Sequence, residues 1–337
     1  MIARNTAPGT QTLRFAVQLV FILLLLFIGF QFFQYVGWLE SGGVGEAPRR
    51  PPGAGGFLPI ASIMSLSYLL QTGQVHMAHP AGLYLFMAFL LMSWIAGKSF
   101  CSWICPFGFL SETLEAVHQR IFKRTISLPR WLDYPLRSLK YLLLGFFLVA
   151  IIPMGAIELL AYLDSPYHAV ADVKMYRFFA EITPFVLYTL LALVGLSFVI
   201  PYFWCRYLCP YGALVGFTGL FSPNRITRND ESCIDCAKCA QTCPARILVD
   251  QVAEVRSDEC TSCYQCVDIC PVKDTLVVLN RPARRPISTR IMGISVIAVF
   301  VVFVGIAVLS GTWNSALTPQ DTLELYPGID TYLHTGR

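Results

Sequence analysis

Two stretches decide the reading of this chain: Cys233-Ile-Asp-Cys236-Ala-Lys-Cys239-Ala-Gln-Thr-Cys243-Pro244, and Cys260-Thr-Ser-Cys263-Tyr-Gln-Cys266-Val-Asp-Ile-Cys270-Pro271. Both have the form C-x2-C-x2-C-x3-C-P. Three thiolates so closely spaced wrap one corner region of a cubane iron–sulfur cluster, and the fourth ligand has to arrive from elsewhere. The proline ends the local turn, because it lacks an N–H and fixes φ. A zinc site uses paired C-x2-C knuckles, which leaves the third Cys and the C-P pair of each run without a role. A disulfide framework belongs to small domains in oxidising compartments, whereas these runs lie inside a strongly apolar chain.

In two-cluster ferredoxins the fourth Cys of each run ligates the other cluster. The spacing therefore predicts one [4Fe–4S] cluster on Cys233, Cys236, Cys239 and Cys270, and a second on Cys260, Cys263, Cys266 and Cys243. The surrounding segment, residues 222–280, is expected to be an α+β ferredoxin domain of the bacterial two-cluster type inserted into the chain.

Working outward, hydrophobic residues make up 55% of the 337 residues, charged residues 14%, and mean hydropathy is +0.57. Soluble globular chains carry roughly 25% charged residues, so the rest of the chain reads as an α-helical integral membrane protein. The formal charge is only +4. Basic residues flank apolar spans and do not alternate with aromatics along a groove, which excludes a nucleic-acid partner.

The apolar pattern predicts five transmembrane helices: Leu13–Val36, Ala81–Gly97, Tyr134 or Leu136 to about Leu160, Pro184–Trp204 and Ile291–Leu309. The first is long enough to cross a hydrocarbon core of about 30 Å and too long for a cleaved signal peptide. The expected organisation is an anchor at 1–36, a Gly/Pro-rich extracytoplasmic loop at 37–80, and a membrane domain at 81–221. The ferredoxin domain, a fifth helix at 281–309 and an external tail at 310–337 follow. Phe57–Leu70 is too short to span and reads as an interfacial or re-entrant helix, and Phe109–Phe122 as an amphipathic helix at the membrane surface. His76 and His79, in the loop between, have a spacing open to haem or metal ligation, or are plain polar residues.

Orientation follows the placement of Lys and Arg. Arg4 and Arg14 precede the first span; Lys98, Arg120, Lys123, Arg124, Arg130, Arg137 and Lys140 lie between spans two and three; Arg206, Arg225, Arg228 and the 281–290 arginines frame the cysteine runs. The return between spans three and four and the tail, which ends in Arg337, are acidic or neutral. The N-terminus and the ferredoxin domain are thus expected on the cytoplasmic side and the C-terminus outside.

The remaining cysteines form an internal repeat: Cys101-Ser-Trp-Ile-Cys105-Pro106-Phe107-Gly108 matches Cys205-Arg-Tyr-Leu-Cys209-Pro210-Tyr211-Gly212. Cysteines at i and i+4 are expected on one helical face. Each proline stands where a helix can break or restart, and each glycine permits close packing. Both copies sit at the same end of an apolar span, so a parallel repeat can bring the two pairs together beneath the ferredoxin domain. Three chemistries remain open for the four thiols: a soft metal such as copper(I) or a further iron–sulfur centre, a dithiol pair, or buried apolar side chains.

Paired C-x3-C-P motifs at membrane-helix ends followed by a two-cluster module resemble the NapH/NosR/CcoG-type membrane ferredoxins, over roughly Ala81 to Asn280. The resemblance implies that the eight ferredoxin cysteines are cluster ligands and that Cys101, Cys105, Cys205 and Cys209 are the intramembrane motif. It further implies a multi-pass protein of the bacterial inner membrane, carrying electrons between a quinol pool or cytoplasmic donor and an extracytoplasmic redox system. A periplasmic reductase, a cytochrome or a ferredoxin-type subunit would be its partner. The few residues before the first span offer no flavin-binding ectodomain, so a type other than NosR proper is expected. The alternative reading is a copper-handling, cupric-reducing accessory protein for assembly of a copper enzyme. Glu158, placed at the outer end of span three, is read either as a proton acceptor for quinol or as a satisfied interfacial charge.

Overall fold

The structure is a computed structural model that describes residues 5, 9–123 and 128–332. Arg4, Arg124 and Arg337, which the orientation argument counts, lie outside the described residues. Among those described, three helices are long and apolar enough to cross a membrane: α1 (Gln11–Glu40), α6 (Arg130–Ile151) and α14 (Thr289–Leu309). A fourth is counted if α9 (Ala171–Ala180) and α10 (Pro184–Val199), bent by 83° at their junction, form one broken span. Helix α3 (Pro80–Ala96) is apolar but only 17 residues long.

Two helix ends differ from the sequence expectation, each at a proline. The third span stops at Ile151 and not near Leu160, because Pro153 lacks an N–H and its ring disfavours a helical conformation at Ile152. A separate helix, α7 (Ala156–Leu163), follows. Glu158 therefore stands in the exposed first turn of α7, where its Oε2 accepts a hydrogen bond from the Gly155 N–H at 3.2 Å. Its place is that of a helix cap. The fourth span stops at Val199, before Pro201, and gives way to a wide π-type turn at Trp204–Leu208. The short apolar stretch after the Gly/Pro-rich loop forms α2 (Pro59–Thr72), 14 residues closed by left-handed Gly73.

The chain divides into two compact units. The first comprises Met1–Ile22, Phe89–Leu144 and Leu191–Phe300. It holds α4 (Ser99–Trp103), α5 (Pro106–Phe122), α11 (Pro210–Gly219) and an antiparallel sheet of order β1-β2-β3. Strand β1 (Asn224–Arg228) pairs with β2 (Leu276–Asn280) in the register Asn224↔Asn280 to Arg228↔Leu276, so the two ends of the cysteine-rich segment meet on one ladder. The ladder pairs Ile226 with Val278, both buried. A third strand, β3 (Arg285–Ile287), extends the sheet beyond the segment read as ferredoxin from sequence. Trp103, fully buried, donates its indole N–H to Ser262 O at 3.2 Å and covers Gly293 of α14, where a Cβ would stand 2.2 Å from the ring.

The second unit comprises Leu23–Ala88, Gly145–Leu190 and Val301–Arg337. One core gathers Tyr35, Val36, Trp38 and Leu39 with Val170, Val173 and Ile329. Another packs Met64 and Tyr68 of α2 against Ile151, Leu159 and Leu163. Arg50 and Asp172 form a buried ion pair in this unit.

Candidate iron–sulfur and thiol centre

Both cysteine runs of the first unit fold alike. In each, the residue before the second cysteine (Asp235, Ser262) and the residue after it (Ala237, Tyr264) have φ between 48° and 60°. This left-handed backbone turns two cysteines toward one side within a few residues. The third cysteine then lies on a single helical turn, α12 (Lys238–Gln241) for Cys239 and α13 (Gln265–Ile269) for Cys266.

The result is two thiol-lined cavities. One is lined by Cys233, Cys236 and Cys239 of the first run and Cys270 of the second. The other is lined by Cys260, Cys263 and Cys266 of the second run and Cys243 of the first. Each holds four thiols among otherwise mostly apolar neighbours, a donor set and a setting that fit an iron–sulfur cluster. The two differ in exposure: Cys236 is exposed, whereas Cys263 and Cys266 are buried.

The C-x3-C-P repeats depart from a single helical face. Cys101 sits on α4 and Cys205 in the wide turn, but Cys105 and Cys209 have left the helix for extended backbone, each capping the next helix, α5 or α11. Pro106 and Pro210 occupy the first position of those helices, where a missing N–H costs nothing. The glycines close the motif. A Cβ at Gly108 would lie 1.8 Å from the carbonyl oxygen of Cys101, and one at Gly212 would lie 3.4 Å from that of Cys205. The Gly212 N–H donates to Cys209 Sγ at 3.2 Å.

Cys101 and Cys205, one from each copy, line a common cavity together with Cys263, Lys98, Tyr202 and Glu259. Cys263 thus borders both this cavity and the second cluster cavity. Lys98 and Tyr202 are equivalent residues of the repeat, each three before its first cysteine. Among the described residues, no group of three or more His, Cys, Asp or Glu is gathered around a single ion.

Charges that the sequence offered as loop charges are buried in this unit. Lys140, fully buried, is ion-paired to Glu259 and lies 3.3 Å from Asp258; Lys98 lies 3.8 Å from Glu259. Glu259 precedes Cys260 directly, so the two lysines stand at the root of a cluster loop. Arg14 makes a bidentate pair with Glu112, one arm at 2.7 Å, and Gln18 donates to Ser102 O at 2.9 Å, which fastens α1 to the first thiol turn. Arg206, between Cys205 and Cys209, is bound to Asp133 at 3.0 and 3.1 Å. No linear signal joins these partners, which are about 70 to 160 residues apart.

In the second unit, His76 and His79 are joined by His168. His79 Nε2 donates to the His168 carbonyl at 2.8 Å, and the His79 and His168 rings lie 4.8 Å apart. Burial holds the imidazoles of His79 and His168 far below the usual value, at about 4 and about 3.

Comparison with known proteins follows this layout. Residues 78–125 and 182–229, each holding one C-x3-C-P copy, match the family described as 4Fe-4S binding domain. Residues 226–278 match the family described as 4Fe-4S dicluster domain. The chain is 42% identical to YccM of Escherichia coli (strain K12), a protein named for electron transport, over 96% of this chain and 92% of that one. It is 30% identical to the protein NirI of Paracoccus denitrificans over 58% of this chain and 28% of the relative. It is 29% identical to the regulatory protein NosR of Stutzerimonas stutzeri over 49% of this chain and 22% of the relative. No solved structure matches it at a significant level. With near-complete coverage by YccM and iron–sulfur domains in all three cysteine-bearing segments, the chain belongs to the NapH/NosR-like membrane polyferredoxins and is an iron–sulfur electron-transport protein.

Proposed function

We propose that the protein relays electrons between a quinol pool or cytoplasmic donor and an extracytoplasmic respiratory redox system, in company with a partner redox subunit. The observation that carries this reading is that Cys263 borders two thiol-lined cavities at once. Cys233, Cys236, Cys239 and Cys270 would hold one [4Fe–4S] cluster, and Cys243, Cys260, Cys263 and Cys266 the second. Bound there, each cluster supplies one-electron chemistry at a potential set by burial, charge and hydrogen bonding. The chain's own contribution is graded exposure: Cys236 puts the first site within reach of a soluble partner, while the second is enclosed beside Cys101 and Cys205. Lys98 and Lys140, paired with Glu259, place a buried ion-pair network near the enclosed site.

The wider arrangement belongs to the same proposal: five spans, N-terminus and ferredoxin domain cytoplasmic, C-terminus outside, in a bacterial inner membrane. Helix α3 and the bent α9–α10 pair would supply the two spans beyond α1, α6 and α14. Cys101, Cys105, Cys205 and Cys209 would form a further redox centre linking the membrane to the clusters, a role favoured by the shared cavity of Cys101 and Cys205. A second reading, copper handling for assembly of a copper enzyme, draws on the same four soft thiols.

Metal counting separates them. The anaerobically purified protein should contain about eight irons for two clusters, and more if the four membrane thiols hold an iron–sulfur centre. Iron that falls to about eight when those four are changed to Ser supports the further centre. Copper present in the wild type and lost in that variant supports the copper reading. Fewer than about eight irons in the wild type, after iron and sulfide reconstitution, overturns the two-cluster assignment.

A further inference from the structure

Within the first unit an open groove lies outside the three thiol-lined cavities. It is lined by α5, by the start of α1 and by the short helical turns α12 and α13. Glu112, Ala116, Gln265 and Ile269 border both of its halves. One half reaches Cys243, the cysteine that the first run contributes to the enclosed cluster site, and Tyr202. Tyr202 also lines the cavity of Cys101 and Cys205, so one phenol borders the groove and the thiol cavity at once. Its backbone has φ 58°. A left-handed conformation is uncommon for a bulky residue, and such positions persist where the surroundings over-determine them, at ligand clamps among other places.

The two halves differ in chemistry. Beside α1 the groove carries the rings of Phe15 and Phe109, whose centroids lie 6.5 Å apart. Phe15 is exposed, as are Leu19 and Val20 after it, on a helix long and apolar enough to cross a membrane. Beside Cys243 the lining is polar, with Glu115, Gln119 and Tyr202. Gln119 Nε2 donates to Glu115 Oε1 at 3.1 Å and holds that carboxylate in place. This half has Glu112 and Glu115 against Lys238 as its charged groups, so it offers no surplus of positive charge to an anion. The groove therefore runs from an apolar mouth on a membrane-type helix to a polar end beside a cluster cysteine.

We propose that this groove binds a quinol, its head between Tyr202 and Glu115 beside Cys243 and its apolar tail along Phe109 and Phe15. The inference rests on the relay reading above and names the residues that receive the quinol. An uncharged ring with two hydroxyls can donate to the Glu115 carboxylate and accept from the Tyr202 phenol. A long apolar lining with a few placed polar groups is the usual form of a small-ligand site. A phospholipid phosphate meets the wrong charge at the polar end, where two carboxylates face one ammonium. Glu115 thus takes the place that the sequence offered to Glu158.

The experiment uses the full-length protein with its clusters, in detergent, photolabelled with an azido-benzoquinone that carries a decyl tail. Labelled peptides are identified by mass spectrometry. The expected result is label on α5 and on residues 238–244, displaced by decyl benzoquinol and not by added phospholipid. Ala116→Trp fills the middle of the groove from an exposed position and should abolish the label with iron content unchanged. Tyr202→Phe and Glu115→Gln should each weaken displacement by the quinol about 3- to 10-fold, the share of one hydrogen bond. Label only outside the groove, wild-type label in Ala116→Trp, or displacement by phospholipid alone would overturn the site. Cluster reduction by decyl benzoquinol is followed separately by visible absorbance. Reduction without label in the groove overturns this site and leaves the relay standing, whereas label without reduction upholds the site and removes quinol as the relay's donor.

Discussion

At the scale of single residues, the two C-x3-C-P copies show how a motif is enforced by contact. Gly108 approaches the Cys101 carbonyl so closely that even a methyl group would overlap it. Gly212 leaves 3.4 Å at the equivalent place. Chemically equal glycines therefore carry unequal constraints. Gly108→Ala is expected to cost about 3 kcal/mol or more, at or above the upper end of overpacking penalties, whereas Gly212→Ala should cost under about 1 kcal/mol because ordinary van der Waals contact suffices there. Thermal unfolding of the two variants in one detergent checks the difference, and equal midpoints would contradict it. The need for a small residue at both places was legible in the repeated C-x3-C-P-[FY]-G. The inequality was not, because it arises from the different turns that carry Cys101 and Cys205.

At the scale of elements, apolar runs located the helices, and prolines decided where they ended. The stretch expected to span as far as Leu160 contains Pro153, and the one expected to reach Trp204 contains Pro201; both helices stop before them. Charge was harder to read. Lys98 and Lys140 look like loop cations in the sequence, yet both are buried against Glu259, and Arg14 lies inside α1 against Glu112. Glu259→Ala leaves two buried ammonium groups short of a partner and is expected to destabilise the first unit by about 3–5 kcal/mol. The loop that begins at Cys260 should loosen with it. The check is a denaturation midpoint together with iron retention, and a variant with wild-type values for both would show the network to be dispensable.

At the scale of the whole molecule, the prediction concerns topology. With Arg14, Lys98, Lys140 and Arg206 taken up in ion pairs, the freer cations of the same segments, Arg120, Lys123, Arg284 and Arg285, remain to set orientation. Reporter fusions after residue 222 and at the C-terminus are expected to report opposite sides of the membrane, the first cytoplasmic. The same side for both would mean an even number of crossings between them, and would point to α14 not spanning.

The cysteine spacing by itself determined the chemistry of this protein, because ligand number and order along the chain are local properties that four thiolates and a proline express within a few residues. Composition determined that the rest is a membrane-type helical chain, since burial in lipid demands apolar side chains over whole helices. Only the tertiary structure decided that Cys263 borders the cavity of Cys101 and Cys205, that Glu259 gathers two lysines, and that His168 joins His76 and His79. Those neighbours are about 60 to 160 residues apart in sequence. Their meeting is set by how helices pack and where prolines turn them, which no periodicity in the chain records.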